Sequence, residues 1–104
     1  MALKVRIPEQ SDEVDLAVEV FSSNVRVGIV RMLRKGLSTR TEVADALGIA
    51  PNTISPNVKF LADHGLVHTE WVAGKTGRPV VYRLDNSAVD RLQTVLSDYL
   101  NGRE

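Results

Sequence analysis

Apolar residues fall along the chain in blocks whose spacing alternates between two and three-to-four, and each block predicts an element. Residues 3–7 (Leu-Lys-Val-Arg-Ile) alternate apolar and basic, the period of a half-buried strand that Pro8 ends. Ser11, followed by Asp12 and Glu13, opens a helix with Val14, Ala17, Val18 and Phe21 at helical spacing. Ser22, Ser23 and Asn24 interrupt it. A second helix is expected over about 25–35, with Val25, Ile29, Val30 and Leu33 inward and Gly36 as its stop. Thr39 and Glu42 have capping-box spacing just before Val43, Ala44 and Leu47, and Gly48 closes that short helix. Ile54, Val58 and Leu61 then mark a further helix over 51–63, stopped near Gly65. Two runs of strand formers, 66–72 and 80–84, flank a loop at 73–79 that holds two glycines, a proline and two bases. They predict a β-hairpin with a long basic tip. Ser87 and Asp90 are placed to cap a last helix over about 87–100, which carries Val89, Leu92, Val95, Leu96, Tyr99 and Leu100 on one broad face. The expectation is one α+β domain, mostly helical, spanning 1–104.

Helix, short capped helix, glycine turn, helix and hairpin follow in the order of a winged helix-turn-helix. A helix fits the roughly 12 Å major groove of DNA. A second helix packed across its start braces it, and the hairpin reaches the neighbouring backbone or minor groove. Further residues carry a family resemblance. Arg26-Val-Gly-Ile-Val-Arg-Met-Leu33, Glu42-Val-Ala-Asp-Ala-Leu-Gly-Ile49, Thr53-Ile-Ser55, Val58-Lys-Phe-Leu61 and Gly65-Leu-Val67 fall in the order and spacing of ArsR-like winged-helix repressors. Gly77-Arg-Pro79 with Tyr82-Arg-Leu84 resembles the wing of that group and of its MarR- and PadR-like relatives. The resemblance covers residues 17–100. It implies a transcriptional regulator that binds double-stranded DNA, as a homodimer formed through the first and last helices.

Carried onto this chain, the expected helix-turn-helix covers about 39–64, the wing about 66–84 and the dimerisation helix about 87–100. On the 51–63 helix, the positions opposite Ile54, Val58 and Leu61 are taken as Asn52, Thr53, Ser55, Asn57 and Lys59. Asn can pair with adenine through two hydrogen bonds, Ser and Thr can contact bases or phosphates, and Lys59 can pair with phosphate. No arginine stands there, so strong guanine recognition by this helix is not expected. Lys75, Thr76 and Arg78 in the wing, and Arg40 at the start of the short helix that Thr39 caps, are the further expected DNA contacts. Val89, Leu92, Val95, Leu96, Tyr99 and Leu100 form the expected dimer face.

The recognition helix departs from the family at two points. Ala50 stands where a capping serine is common, and Pro56 where a basic or polar residue is common. Pro51 suits a first helical position, but Pro56 cannot donate an N–H back to Asn52 and its ring crowds that carbonyl. Either the helix starts later, capped by Asn52 or Thr53, or its first turn is distorted. The latter is the expectation.

Composition narrows the chemistry. Among 104 residues, 43% are hydrophobic, 25% are charged and the net charge is zero, values of an ordinary globular domain. The neutrality conceals a segregation: residues 1–25 carry a net −3, residues 26–83 a net +5 and residues 84–104 a net −2. A basic middle between acidic ends suits a polyanion, because local field steers a ligand. The absence of cysteine removes disulfides, iron–sulfur clusters, thiolate catalysis and cysteine metal sites. The two histidines, His64 and His68, are separated by Gly65 and share no helical face, so no metal and no cofactor is expected. Gly74-Lys75-Thr76 lacks the upstream glycine of a phosphate-binding loop, since position 69 is Thr, and it leads into a strand. Trp71 shares strand parity with Val67 and Thr69 and is expected to pack on the hairpin. With no nucleophile–base pair or carboxylate dyad in view, catalysis is not expected. No apolar run approaches the ~18 residues of a membrane span, and the N-terminus lacks a signal-peptide stretch, so a cytoplasmic protein is expected. The competing reading is a winged-helix module that docks another protein. Pro56 and the zero net charge favour it; the basic middle and basic wing favour DNA.

Overall fold

The computed structural model describes residues 5, 7–71 and 80–103. In chain order the elements are α1 (Asp12–Phe21), α2 (Asn24–Arg34), α3 (Arg40–Leu47), α4 (Pro51–Asp63), β1 (Val67–Trp71), β2 (Val80–Leu84) and α5 (Asn86–Leu100). Each helix begins where a short polar side chain can satisfy a first-turn N–H, α4 excepted. Ser11 accepts from Val14, Ser23 from Arg26 and Thr39 from Glu42. The capping box is complete, because Glu42 Oε1 accepts in turn from the Thr39 N–H at 3.1 Å. The expected Ser87 cap is displaced: Asp85 caps α5, its carboxylate accepting from the Ala88 N–H at 2.9 Å. Asp85 is the one residue between β2 and α5, so the chain turns almost straight from strand into helix, earlier than the Ser87 cap implied.

The strands pair antiparallel with Val67 opposite Leu84, Thr69 opposite Tyr82 and Trp71 opposite Val80. Two further backbone bonds tie β2 to the α2–α3 connection and close the base of the hairpin. The Tyr82 N–H donates to the Ser38 carbonyl at 2.7 Å, and the Asp85 N–H to the Leu66 carbonyl at 2.9 Å. Of the expected strand at 3–7, only Val5 and Ile7 are described, and neither belongs to the sheet. Trp71 is 67% exposed at the end of β1, paired across the hairpin with Val80. The hairpin's buried residues are at its base, Val67 and Leu84, and half-buried Tyr82 packs against the same core.

One core joins all of these elements. Ile29 of α2, Val43 of α3, Ile54 and Leu61 of α4, Val67 of β1 and Val89 of α5 are fully buried in it. α1 packs along α5. There Tyr99 donates to Gln10 Oε1 at 3.1 Å, and Arg91 pairs with Glu13 at 2.9 Å. α2 and α3 approach closely at Gly28, where a Cβ would stand 2.8 Å from a methyl of Leu47. Gly48, at φ +69°, makes the left-handed turn between α3 and α4.

Asp85 also faces the hairpin: His68 Nε2 lies 2.9 Å from its second carboxylate oxygen. The His68 hydrogen bond, aided by the Ala88 N–H, holds the Asp85 carboxyl below its ordinary value. Hydrogen bonds from Ser38 and Thr39 do the same to Glu42. A carboxyl whose folded pKa is depressed contributes stability that is full above roughly pH 5 and is lost as pH falls through the lowered value. Urea midpoints measured from pH 6 down to pH 2 should therefore fall with acid, and Asp85→Asn should flatten that fall.

Candidate nucleic-acid interface

The two helices of the helix-turn-helix differ at their starts: α3 is capped by a side chain and α4 is not. α3 is fixed at its start by the Thr39–Glu42 capping box and at its end by Gly48. α4 then begins at Ala50, whose methyl cannot accept a hydrogen bond, with Pro51 at the first helical position. Its first turn is tight, closed by the Thr53 N–H donating to the Ala50 carbonyl three residues back at 2.9 Å. The helix is nonetheless continuous from Pro51 through Pro56 to Asp63; it does not start later at Asn52 or Thr53.

Ile54, Val58 and Leu61 face the core. The opposite face carries Asn52, Thr53, Pro56 and Lys59, all exposed. Ser55 and Asn57 are half-buried, so they flank this face and do not lie on it. Ser55 accepts a hydrogen bond from Arg40 Nη1 at 3.2 Å, which ties the start of α3 to the first half of α4. Lys59 pairs with Asp63 at 2.9 Å across one exposed turn, an arrangement that water weakens and a phosphate can displace.

The Asn57 side-chain N–H₂ donates to the Thr53 carbonyl at 2.8 Å, and its Oδ1 accepts from Arg26 Nε at 3.1 Å. Both ends of the half-buried amide are thus engaged with the protein's own groups. The reason is rotational: position 57 follows Pro56 by one residue and so lies about 100° round the helix, toward α2.

Arg26 is the residue that sequence reasoning missed. From α2 it reaches the Glu19 carbonyl of α1 at 2.7 Å, Asn57 of α4 at 3.1 Å, and the face of the Phe60 ring at 3.9 Å. One guanidinium thus joins three helices. Its side-chain hydrogen-bond partner Asn57 lies 31 positions away and Phe60 further still, and no local pattern encodes that meeting.

The remaining candidates are placed as follows. Lys75, Thr76 and Arg78 lie outside the described residues. On α5, Val89 and Leu92 are buried in the chain's own core, Val95, Leu96 and Tyr99 are half-buried, and Leu100 is 72% exposed. His64 Nδ1 lies 2.9 Å from the Phe60 carbonyl while His68 faces Asp85. Among the described residues no three metal-ligating side chains converge, and no helix is long and apolar enough to cross a membrane.

A family model described as a helix-turn-helix domain matches residues 21–70, from the end of α1 through β1. No curated protein matches the chain. Among solved structures, the homodimeric winged helix-turn-helix DNA-binding domain of Mb0332 from Mycobacterium bovis is 25% identical, with 94% of this chain and 97% of that one covered and a TM-score of 0.61. The ArsR family transcriptional regulator RHA00566 is 18% identical over 86% of this chain and 94% of its own, at a TM-score of 0.65. PA1607, a candidate transcription factor, is 22% identical at a TM-score of 0.66, with 90% of this chain covered. This chain spans only 65% of the length of PA1607. At such identities the last two likenesses are of fold.

Proposed function

We propose that this chain, an ArsR-like winged helix-turn-helix protein, is a non-enzymatic transcriptional regulator that binds double-stranded DNA sequence-specifically and represses by occupying its site. The observation that carries this reading is the exposed face of α4. It presents Asn52, Thr53 and Lys59 to solvent while Ile54, Val58 and Leu61 root the helix in the core. Arg40, hydrogen-bonded to Ser55, stands beside that face with a charge suited to a phosphate. Asn52 is the candidate base reader, through the two-point pairing of its amide with adenine. In the wing, Lys75 and Arg78, with Thr76, supply backbone or minor-groove contacts. The whole of 1–104 acts as one winged-helix domain, in the cytoplasm, without a metal or cofactor.

A homodimer goes with this reading, as in the Mycobacterium bovis domain. The surface we propose for it is the part of the α1–α5 layer that the chain's own core leaves uncovered: Leu100, 72% exposed, and Val18, 44% exposed, with half-buried Val95, Leu96 and Tyr99 beside them. Two-fold symmetry would set two α4 helices roughly 34 Å apart, one DNA turn, and select near-palindromic sites. Sedimentation at micromolar protein should show a dimer; a monomer independent of concentration would remove this part of the proposal.

The test of DNA binding is selection from a random-sequence duplex pool, followed by affinity measurement on the selected and a scrambled duplex at several salt concentrations. Asn52→Ala should cost roughly 1–3 kcal/mol on the selected duplex and far less on the scrambled one. Lys75→Ala and Arg78→Ala should each reduce the salt slope by about one charge, with little change in preference for Lys75→Ala. The engagement of Asn57 within the protein favours a second reading, a module that docks protein, because it leaves fewer polar groups to address bases. Failure to enrich any duplex would support that reading.

A further inference from the structure

We infer that Pro56 is a specificity-determining residue that selects thymine at one position of each half-site, by contact between its ring and the thymine C5-methyl. The inference rests on the reading that α4 enters the major groove, and it gives a role to the one residue of that helix which helix formation does not explain.

Three observations place Pro56 at the groove. First, Asn52, Pro56, Lys59 and Asp63 follow one another at intervals of four, three and four, so they form a single stripe down α4, and all four are exposed. This stripe is opposite Ile54, Val58 and Leu61, which are buried. Pro56 therefore occupies its centre, the place that Asn57 was expected to fill. Second, Pro56 has no role in starting the helix, since Pro51 already stands at the first helical position. A proline in a helix interior removes one backbone hydrogen bond and crowds the preceding turn, which destabilises the helix. The ring is not buried, so core packing does not offset that cost. Third, the backbone around it is braced from behind. The Asn57 amide donates to the Thr53 carbonyl at 2.8 Å, and Arg26 holds that same amide from α2 at 3.1 Å. The proline thus sits on a continuous helix and is held in one orientation.

The chemistry of the ring selects its target. It carries no donor and no acceptor, so it cannot read the polar edges of a base. The apolar group that a base edge offers in the major groove is the thymine methyl. Flanked by Asn52 one turn before and Lys59 one turn after, the ring presents an apolar spot between an adenine reader and a phosphate contact.

The experiment uses the full chain and the duplex that this chain itself selects from a random pool. Each thymine is replaced in turn by 2′-deoxyuridine, which substitutes hydrogen for the methyl and preserves pairing. The wild-type chain should lose about four-fold in affinity at one thymine per half-site, the worth of one buried methyl group. Pro56→Ser, which restores an N–H donor and should not lower the thermal midpoint, should bind the thymine and uracil duplexes equally well at that position. Equal binding of wild type to thymine and uracil duplexes throughout would overturn the inference, as would an undiminished uracil penalty in Pro56→Ser, which would move the contact to the Thr53 methyl. Failure to bind any duplex would overturn both this inference and the DNA-binding reading on which it rests.

Discussion

Ile54→Ala should destabilise the folded chain by about 2–5 kcal/mol, the range for truncating a large aliphatic side chain in a closed core. Ile54 is completely buried and lies in the one core that all the elements share. The loss combines transfer of three carbons to water with a cavity between α4 and its neighbours. A small domain has about 5–15 kcal/mol of stability, so the variant should be partly unfolded near physiological temperature. Urea titration should show a lower midpoint with an unchanged slope, since the surface exposed on unfolding stays the same. The informative contrast is Asn52→Ala, two residues earlier on the opposite face of α4. Asn52 is exposed, so that change should leave stability within about 0.5 kcal/mol while affecting DNA. An Ile54→Ala protein as stable as wild type would mean that α4 is not seated as described.

Arg26→Met should cost roughly 1.5–3 kcal/mol, the range for hydrogen bonds to a charged group. The methionine keeps the aliphatic stem over Phe60 but loses the bonds to the Glu19 carbonyl and Asn57. The cycle of Arg26→Met, Asn57→Ala and the double variant should show a coupling of about 0.5 kcal/mol or more, as expected of side chains that share one hydrogen bond. Asn57→Ala should lower affinity for selected and scrambled duplexes alike, because its amide is engaged within the protein. A loss confined to one base position would put Asn57 in the groove after all. Additivity within error would mean that the Arg26–Asn57 bond contributes nothing measurable.

These expectations separate two kinds of information in the chain. Local physics determined the elements. The Thr39–Glu42 box formed because both partners lie within one helical turn, Gly48 and Gly65 adopt left-handed φ where the helices had to stop, and the Ile54–Val58–Leu61 spacing specifies the buried face of α4. Element order and the position of the helix-turn-helix follow from such short-range rules. What lies between elements was decided only by packing. The outward set drawn from the sequence included Asn57, which the helical period leaves at the edge of the buried face, three positions from Ile54. Only packing brought Arg26 of α2 to it, so that it is half-buried with its Oδ1 accepting from that guanidinium. On α5, six apolar positions share one broad face, but α1 and the core take Val89 and Leu92, so the uncovered part is narrower than the pattern suggests. The physical reason is the same in both cases. A helical period fixes which residues share a face to within the angle of one residue, about 100°, while the partner that covers that face comes from chain tens of residues distant, and only the tertiary structure brings the two together.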